Sequence, residues 1–194
     1  MAINLSKGQR VTLDNTMKMA LVGLGWSTNP YGGAEPDLDA SIFMVGADGR
    51  CTQEDDFIYY NHKDCRNGAV HHMGDARVAG AGDDDDEQII INFERIPPEI
   101  QKLVVCVTIF DYEKFGLNFG QVNSAYVRVA KLQNEFDTQG VDQLRFDLVE
   151  EFSTETALVV CEIYRYGNEW KFNAVAAGCQ GGLAALVNNY GLSC

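Results

Sequence analysis

Proline is scarce in this chain, 4 residues among 194, against 19 glycines. That balance favours tight turns over long rigid connections. No apolar run approaches the roughly 18 residues of a membrane span, which excludes direct membrane insertion by a helix. The opening segment, "MAINLSKGQRVTL", lacks the apolar centre of a secretory signal, so a cytoplasmic protein is expected. Basic residues are also few: 15 stand against 28 acidic ones, for a net charge of −13. Such a chain is repelled by nucleic acid and by anionic lipid, and neither is expected as a direct partner. No Cys-x-x-Cys occurs among the six cysteines, at 51, 65, 106, 161, 179 and 194. This removes the usual signature of a zinc site or a redox pair. Cys106 and Cys161 sit inside apolar runs, and all six are read as free thiols. For catalysis the sequence has no Gly-x-Ser-x-Gly elbow. The glycines of "GCQGGLAALV" lack the lysine and the spacing of a phosphate loop.

What the chain does have is short β-branched and aromatic runs separated by turn residues. Strands are predicted at Arg10–Leu13, Met19–Gly23, Asp39–Val45, Asp56–Asn61 and Gln88–Phe93. Others follow at Leu103–Phe110, Ser124–Val129, Gln143–Leu148, Thr156–Arg165 and Trp170–Val175. Asp48-Gly49, Asn67-Gly68 and Gly167-Asn168 supply tight reversals. Helical pattern is limited to one turn after Pro97 and a short helix within residues 180–190, closed by Gly191. Ten short strands with little helix predict an all-β fold, an antiparallel two-sheet β-sandwich with a few short helices. With 46% hydrophobic residues and neither repeat nor linker, residues 1–194 are read as one domain.

Charge is distributed unevenly. Residues 74–87, "GDARVAGAGDDDDE", place Asp75, Asp83, Asp84, Asp85, Asp86 and Glu87 among glycines. Glycines permit irregular backbone, and carboxylates are hard oxygen donors of the kind calcium takes in sets of six to eight. The spacing is not that of an EF-hand. The alternative is a solvated acidic loop. A second acidic pair, Asp37 and Asp39, opens the run "PDLDASIFMV". Two residues apart in a strand, both point to one face and Leu38 to the other. Acids on a face that otherwise holds core residues call for a cation. Alternatively, Asp37 lies in the loop and Asp39 caps a turn. His71 and His72 fall on opposite faces of an extended segment and do not suit one zinc ion. Trp26, Tyr31, Tyr59 and Tyr60 are read as packing residues.

Several motifs occur in a fixed order: "LSKGQRVTL", "VGLGWS", "DLDAS", "FIYYN" and "GDARVAGAGDDDDE", then "FGQVNSAYVRV", "STETALV" and "YRYGNEWKFNAVAAG". This succession resembles the TerD family of tellurite-resistance and stress proteins over essentially the whole chain. The resemblance implies a β-sandwich that binds two calcium ions through acidic loops. It also implies a non-catalytic, cytoplasmic role in stress resistance alongside other stress-response proteins at the membrane. The ligand set it implies is Asp37, Asp39, Asp75, Asp83, Asp84, Asp85, Asp86 and Glu87, with Asn61 as an outside candidate. The chain departs from the family pattern at three positions. Ser27 stands where the family has aspartate, Ala76 where it has asparagine, and Asp84 where it has glycine, so one site is expected to be weakened. The alternative function is an interaction module whose acidic surface docks a basic partner.

Overall fold

The computed structural model describes residues 2–27, 35–74, 85–122, 124–148 and 152–193. Its strands are β1 (Ile3–Asn4), β2 (Arg10–Thr12), β3 (Met19–Trp26), β4 (Leu38–Val45), β5 (Phe57–Ile58) and β6 (Val70–His72). They continue as β7 (Glu87–Asn92), β8 (Lys102–Ile109), β9 (Ala125–Leu132), β10 (Val141–Asp147), β11 (Ala157–Tyr166) and β12 (Glu169–Cys179). Two short α-helices, α1 (Tyr112–Phe115) and α2 (Gly182–Asn189), and three 3₁₀ turns complete the described elements.

The strands form two six-stranded sheets, ordered β1-β10-β9-β3-β7-β6 and β2-β12-β11-β8-β4-β5. Alternation along each strand explains why they face one another. In β7 every second residue, Glu87, Ile89 and Ile91, is buried, while Gln88, Ile90 and Asn92 between them are half-exposed. In β4 the residues Leu38, Ala40, Ile42 and Met44 join the same inter-sheet core. The other face of β4 is also buried. Phe43 and Val45 pack with Val104, Cys106, Leu186 and Val187 in a second cluster beneath α2. Burial on both faces is why β4 and β8 read as continuous apolar runs rather than alternating ones. The two-sheet sandwich is therefore as predicted, and α2 is the helix expected near the C-terminus. Gly191, at φ +85°, follows it in a left-handed conformation that suits glycine.

The differences lie in the short elements. β1 and β6, of two and three residues, carry too little pattern to be seen in sequence. The first of these pairs in parallel with β10, an exception to the antiparallel expectation. The run 56–61 is not one strand: a 3₁₀ turn covers Glu54–Asp56, β5 has two residues, and Tyr59 bridges back to His62. Helix α1 carries too few residues for periodicity to reveal.

Candidate functional site at the acidic run

The C-terminal end of the acidic run enters sheet structure at β7, which begins at Glu87, and its last three members have different surroundings. Glu87 points inward. Its Oε2 accepts a 2.6 Å hydrogen bond from the Ala40 amide of β4, on the facing sheet. The buried His72 of β6 donates from Nε2 to the Ala40 carbonyl at 3.2 Å and lies 3.6 Å from the same Glu87 oxygen. The Gly74 amide donates to His72 Nδ1 at 3.1 Å, which fixes the ring proton on Nε2. Glu87 Oε1 is buried and has no hydrogen-bond partner. A buried carboxylate oxygen left this way is costly unless another group meets it.

Asp86 stays with β3. Its amide donates to the Leu24 carbonyl at 2.8 Å, and its Oδ2 accepts from the Trp26 amide at 2.9 Å. Asp85 lies on the outer face of the first sheet with its side chain fully buried. There Arg128 of β9 donates to it from Nη2 at 2.6 Å and from Nε at 2.7 Å, while Tyr126 Oη and Gln88 Nε2 donate at 3.2 and 3.0 Å. The hydrogen bond to Asp85 above all, with the Asp85 and Asp142 charges, holds the Arg128 guanidinium charged, above its ordinary range, against a burial that works the other way. Burial first, then the Asp85 charge, push the Tyr126 phenol up as well. An open hollow of about 290 Å³, lined by Met73, Gly74, Asp85, Asp86 and Gln88, lies beside these residues.

Asp37 and Asp39 are placed by β4. Leu38 takes the inter-sheet side, and Asp39 lies on the opposite face of β4, where Phe43 and Val45 are buried beneath α2. Asp39, only 5% exposed, is opposite Thr108 of β8 on the face that also carries Phe43. It lines a hollow of about 620 Å³ with Tyr60, Thr108, Asp111 and Tyr112. Asp37 is half-buried, and its carbonyl accepts from the Phe110 amide. Asp75, Asp83 and Asp84 lie outside the described residues. Among the described residues, no three Asp, Glu, His or Cys side chains converge as a metal-ligand group.

The other sequence candidates resolve simply. His71 pairs with Asp64 at 2.6 Å on the exposed side, opposite His72, so the two histidines do occupy different faces. Tyr59 stacks on Phe57 and Phe57 on Phe43, with centroids 4.5 and 4.3 Å apart, a packing role as expected. Asn61 lines a separate groove beside α2 rather than the acidic run. Ser27 meets Ser124, Oγ to Oγ, at 2.9 Å. The five described cysteines are free. Burial above all, and then the Asp56 charge, push the Cys51 thiol up to about 12; burial likewise raises Cys106, Cys161 and Cys179. Such thiols are poor nucleophiles at neutral pH.

Sequence reasoning missed His72 as a partner of Glu87, and missed Arg128 and Tyr126 altogether. One signal for the latter two was present, the alternating glycines of "VGLGW". A Cβ on Gly23 would overlap the Asp85 carboxylate, and one on Gly25 the Tyr126 ring.

Against known proteins, the chain matches the TerD domain over residues 1–190. It belongs to the TerD family. It is 54% identical over 99% of its length to the uncharacterized protein YceE of Bacillus subtilis (strain 168), with 99% of that protein covered. It is 45% identical over 99% of its length to general stress protein 16U of the same organism, 98% of which is covered. The tellurium resistance protein TerD of Serratia marcescens is 41% identical, covering all of this chain and 99% of its own. The same sandwich occurs in a crystal structure of a TerD homologue from Streptomyces coelicolor A3(2). Its TM-score is 0.68 at 22% identity, with 88% of this chain and 95% of that one covered. The family assignment thus agrees with the resemblance seen in the motif order, and it places the chain in a tellurium-resistance and stress-response family.

Proposed function

We propose that this TerD-family protein is a non-catalytic, cytoplasmic calcium-binding protein of the stress response. The observation that carries this is Glu87, whose Oε1 is buried without a hydrogen-bond partner where the acidic run enters β7. Buried charges are paired or coordinate metals, and Glu87 closes a run of carboxylates in the sequence. The donor chemistry fits calcium: these acids offer hard oxygens, and neither paired histidines nor thiolates are grouped with them among the described residues. Glu87 is the described residue best placed to hold the ion, with the remaining carboxylates of 75–86 and the Asp37–Asp39 pair as the pool from which other ligands come. Bound calcium would offset the repulsion within the acidic run. The names of the relatives, a general stress protein and a tellurium resistance protein, support the stress-response role. Calorimetric titration of chelator-stripped protein with calcium chloride tests the proposal. Saturable uptake of at least one ion per chain is expected, and no uptake at millimolar calcium contradicts it.

A further inference from the structure

Five acidic residues in a row raise the question of what balances them. For one of them the structure assigns a cation from within the chain: we infer that Asp85 is the anchor of the acidic run, held by Arg128, and is not a ligand for metal. In this respect it goes beyond the proposed calcium site and narrows it, since it removes one acid from the ligand pool.

A carboxylate has about four lone-pair positions. At Asp85 these are taken up. Oδ1 receives Arg128 Nε and Tyr126 Oη, and Oδ2 receives Arg128 Nη2 and Gln88 Nε2. A calcium ion needs an oxygen lone pair at about 2.3–2.6 Å. At Asp85 it would have to displace these donors and sit beside a guanidinium that repels it. The fork itself is fixed from behind, since Arg128 Nη1 also donates to the Gln139 carbonyl at 3.2 Å and to Asp142 of β10. Tyr126 is held in turn by the Arg145 guanidinium, 3.7 Å above its ring.

The recess is built by β3. Its residues Gly23 and Gly25 point to this outer face, and any side chain there would occupy the space of Asp85 and Tyr126. Two glycines inside a strand cost stability through backbone entropy, so their presence there has a packing reason. Asp85 precedes β7 and points outward while Glu87, two residues on, points inward to Ala40, so the chain enters the strand through a break in the alternation, and the Asp85–Arg128 pair lies at that break.

A double-mutant cycle in excess EDTA tests the anchor. Urea unfolding is followed for wild type, D85N, R128M and D85N/R128M. Each single variant is expected to shift the folding equilibrium toward unfolding by roughly tenfold to a hundredfold, and the double variant by clearly less than the product of the two. R128K keeps the charge but not the two-pronged contact; it is expected to fall between wild type and R128M, and serves if R128M does not fold. G23A is expected to cost much more in the wild type than in D85A. Wild-type stability for D85N in EDTA, or multiplicative effects of D85N and R128M, overturns the anchor. Titrating wild type and D85N with calcium chloride tests the exclusion from the metal site. Equal stoichiometry is expected, and loss of one equivalent in D85N overturns it. A wild type that takes up no calcium contradicts the proposed function instead, and the EDTA cycle still decides the anchor.

Discussion

At the scale of single residues, three neighbouring acids have three different surroundings. Asp85 is paired outward, Asp86 is bonded to the β3 backbone, and Glu87 is buried between the sheets. A regular strand would put Asp85 and Glu87, two residues apart, on one face; they take opposite faces because the strand begins only at Glu87 and the residues before it depart from the alternation. Another aspartate, Asp14, shows what an exposed acid does here. The Lys131 ammonium, 2.7 Å from Asp14 Oδ2, and then the Thr16 amide hold its carboxyl down at about 2. The unfolded chain then binds a proton at higher pH than the folded one. The stabilisation is present above about pH 4 and is lost as pH falls through about 2. Asp14→Asn is expected to flatten the pH dependence of the urea midpoint across that window, lowering the midpoint modestly from pH 4 upward and changing little near pH 2, as denaturation series from pH 2 to 7 will check.

At the scale of elements, α2 has the clearest structural task. It covers the outer face of the second sheet, where Leu186 and Val187 close over Phe43, Val104 and Cys106. Leu186, 1% exposed, is central to that contact. Leu186→Ala is expected to cost about 2–5 kcal/mol in urea unfolding, as buried leucine truncations do. A cost near zero would mean that the helix is dispensable to the sheet beneath it. The helix was visible in sequence because "LAALVNNY" runs into Gly191, a stop signal with a physical basis. Long strands such as β8 and β11 were equally visible, their apolar runs bounded by turn residues. The two-residue β1 and the three-residue β6 were not, since pairing to a longer neighbour, rather than their own side chains, makes them strands. The candidate site was legible only in part. Acidic residues and spacing marked Asp37, Asp39 and the run ending at Glu87, but which face each acid takes depends on register and on strands distant in sequence. Arg128 is 43 residues from Asp85. Only the fold brings the two together, and only the bare faces of Gly23 and Gly25 hint at it locally.

At the scale of the whole molecule, the net charge of −13 and the inward-turned Glu87 point the same way. An acidic sandwich that leaves a carboxylate oxygen unsatisfied between its sheets should be more stable with a cation present than without. No helix among the described residues is long and apolar enough to cross a membrane. A ligand that binds only the folded state at a hundred times its dissociation constant adds about 2.7 kcal/mol. The most direct measurement is therefore thermal unfolding of wild type and Glu87→Gln, each in excess EDTA and in millimolar calcium chloride. The wild type is expected to melt several degrees higher in calcium, and Glu87→Gln to lose most of that rise. Identical wild-type melting temperatures in the two buffers, or a full calcium-dependent rise in Glu87→Gln, would contradict the account.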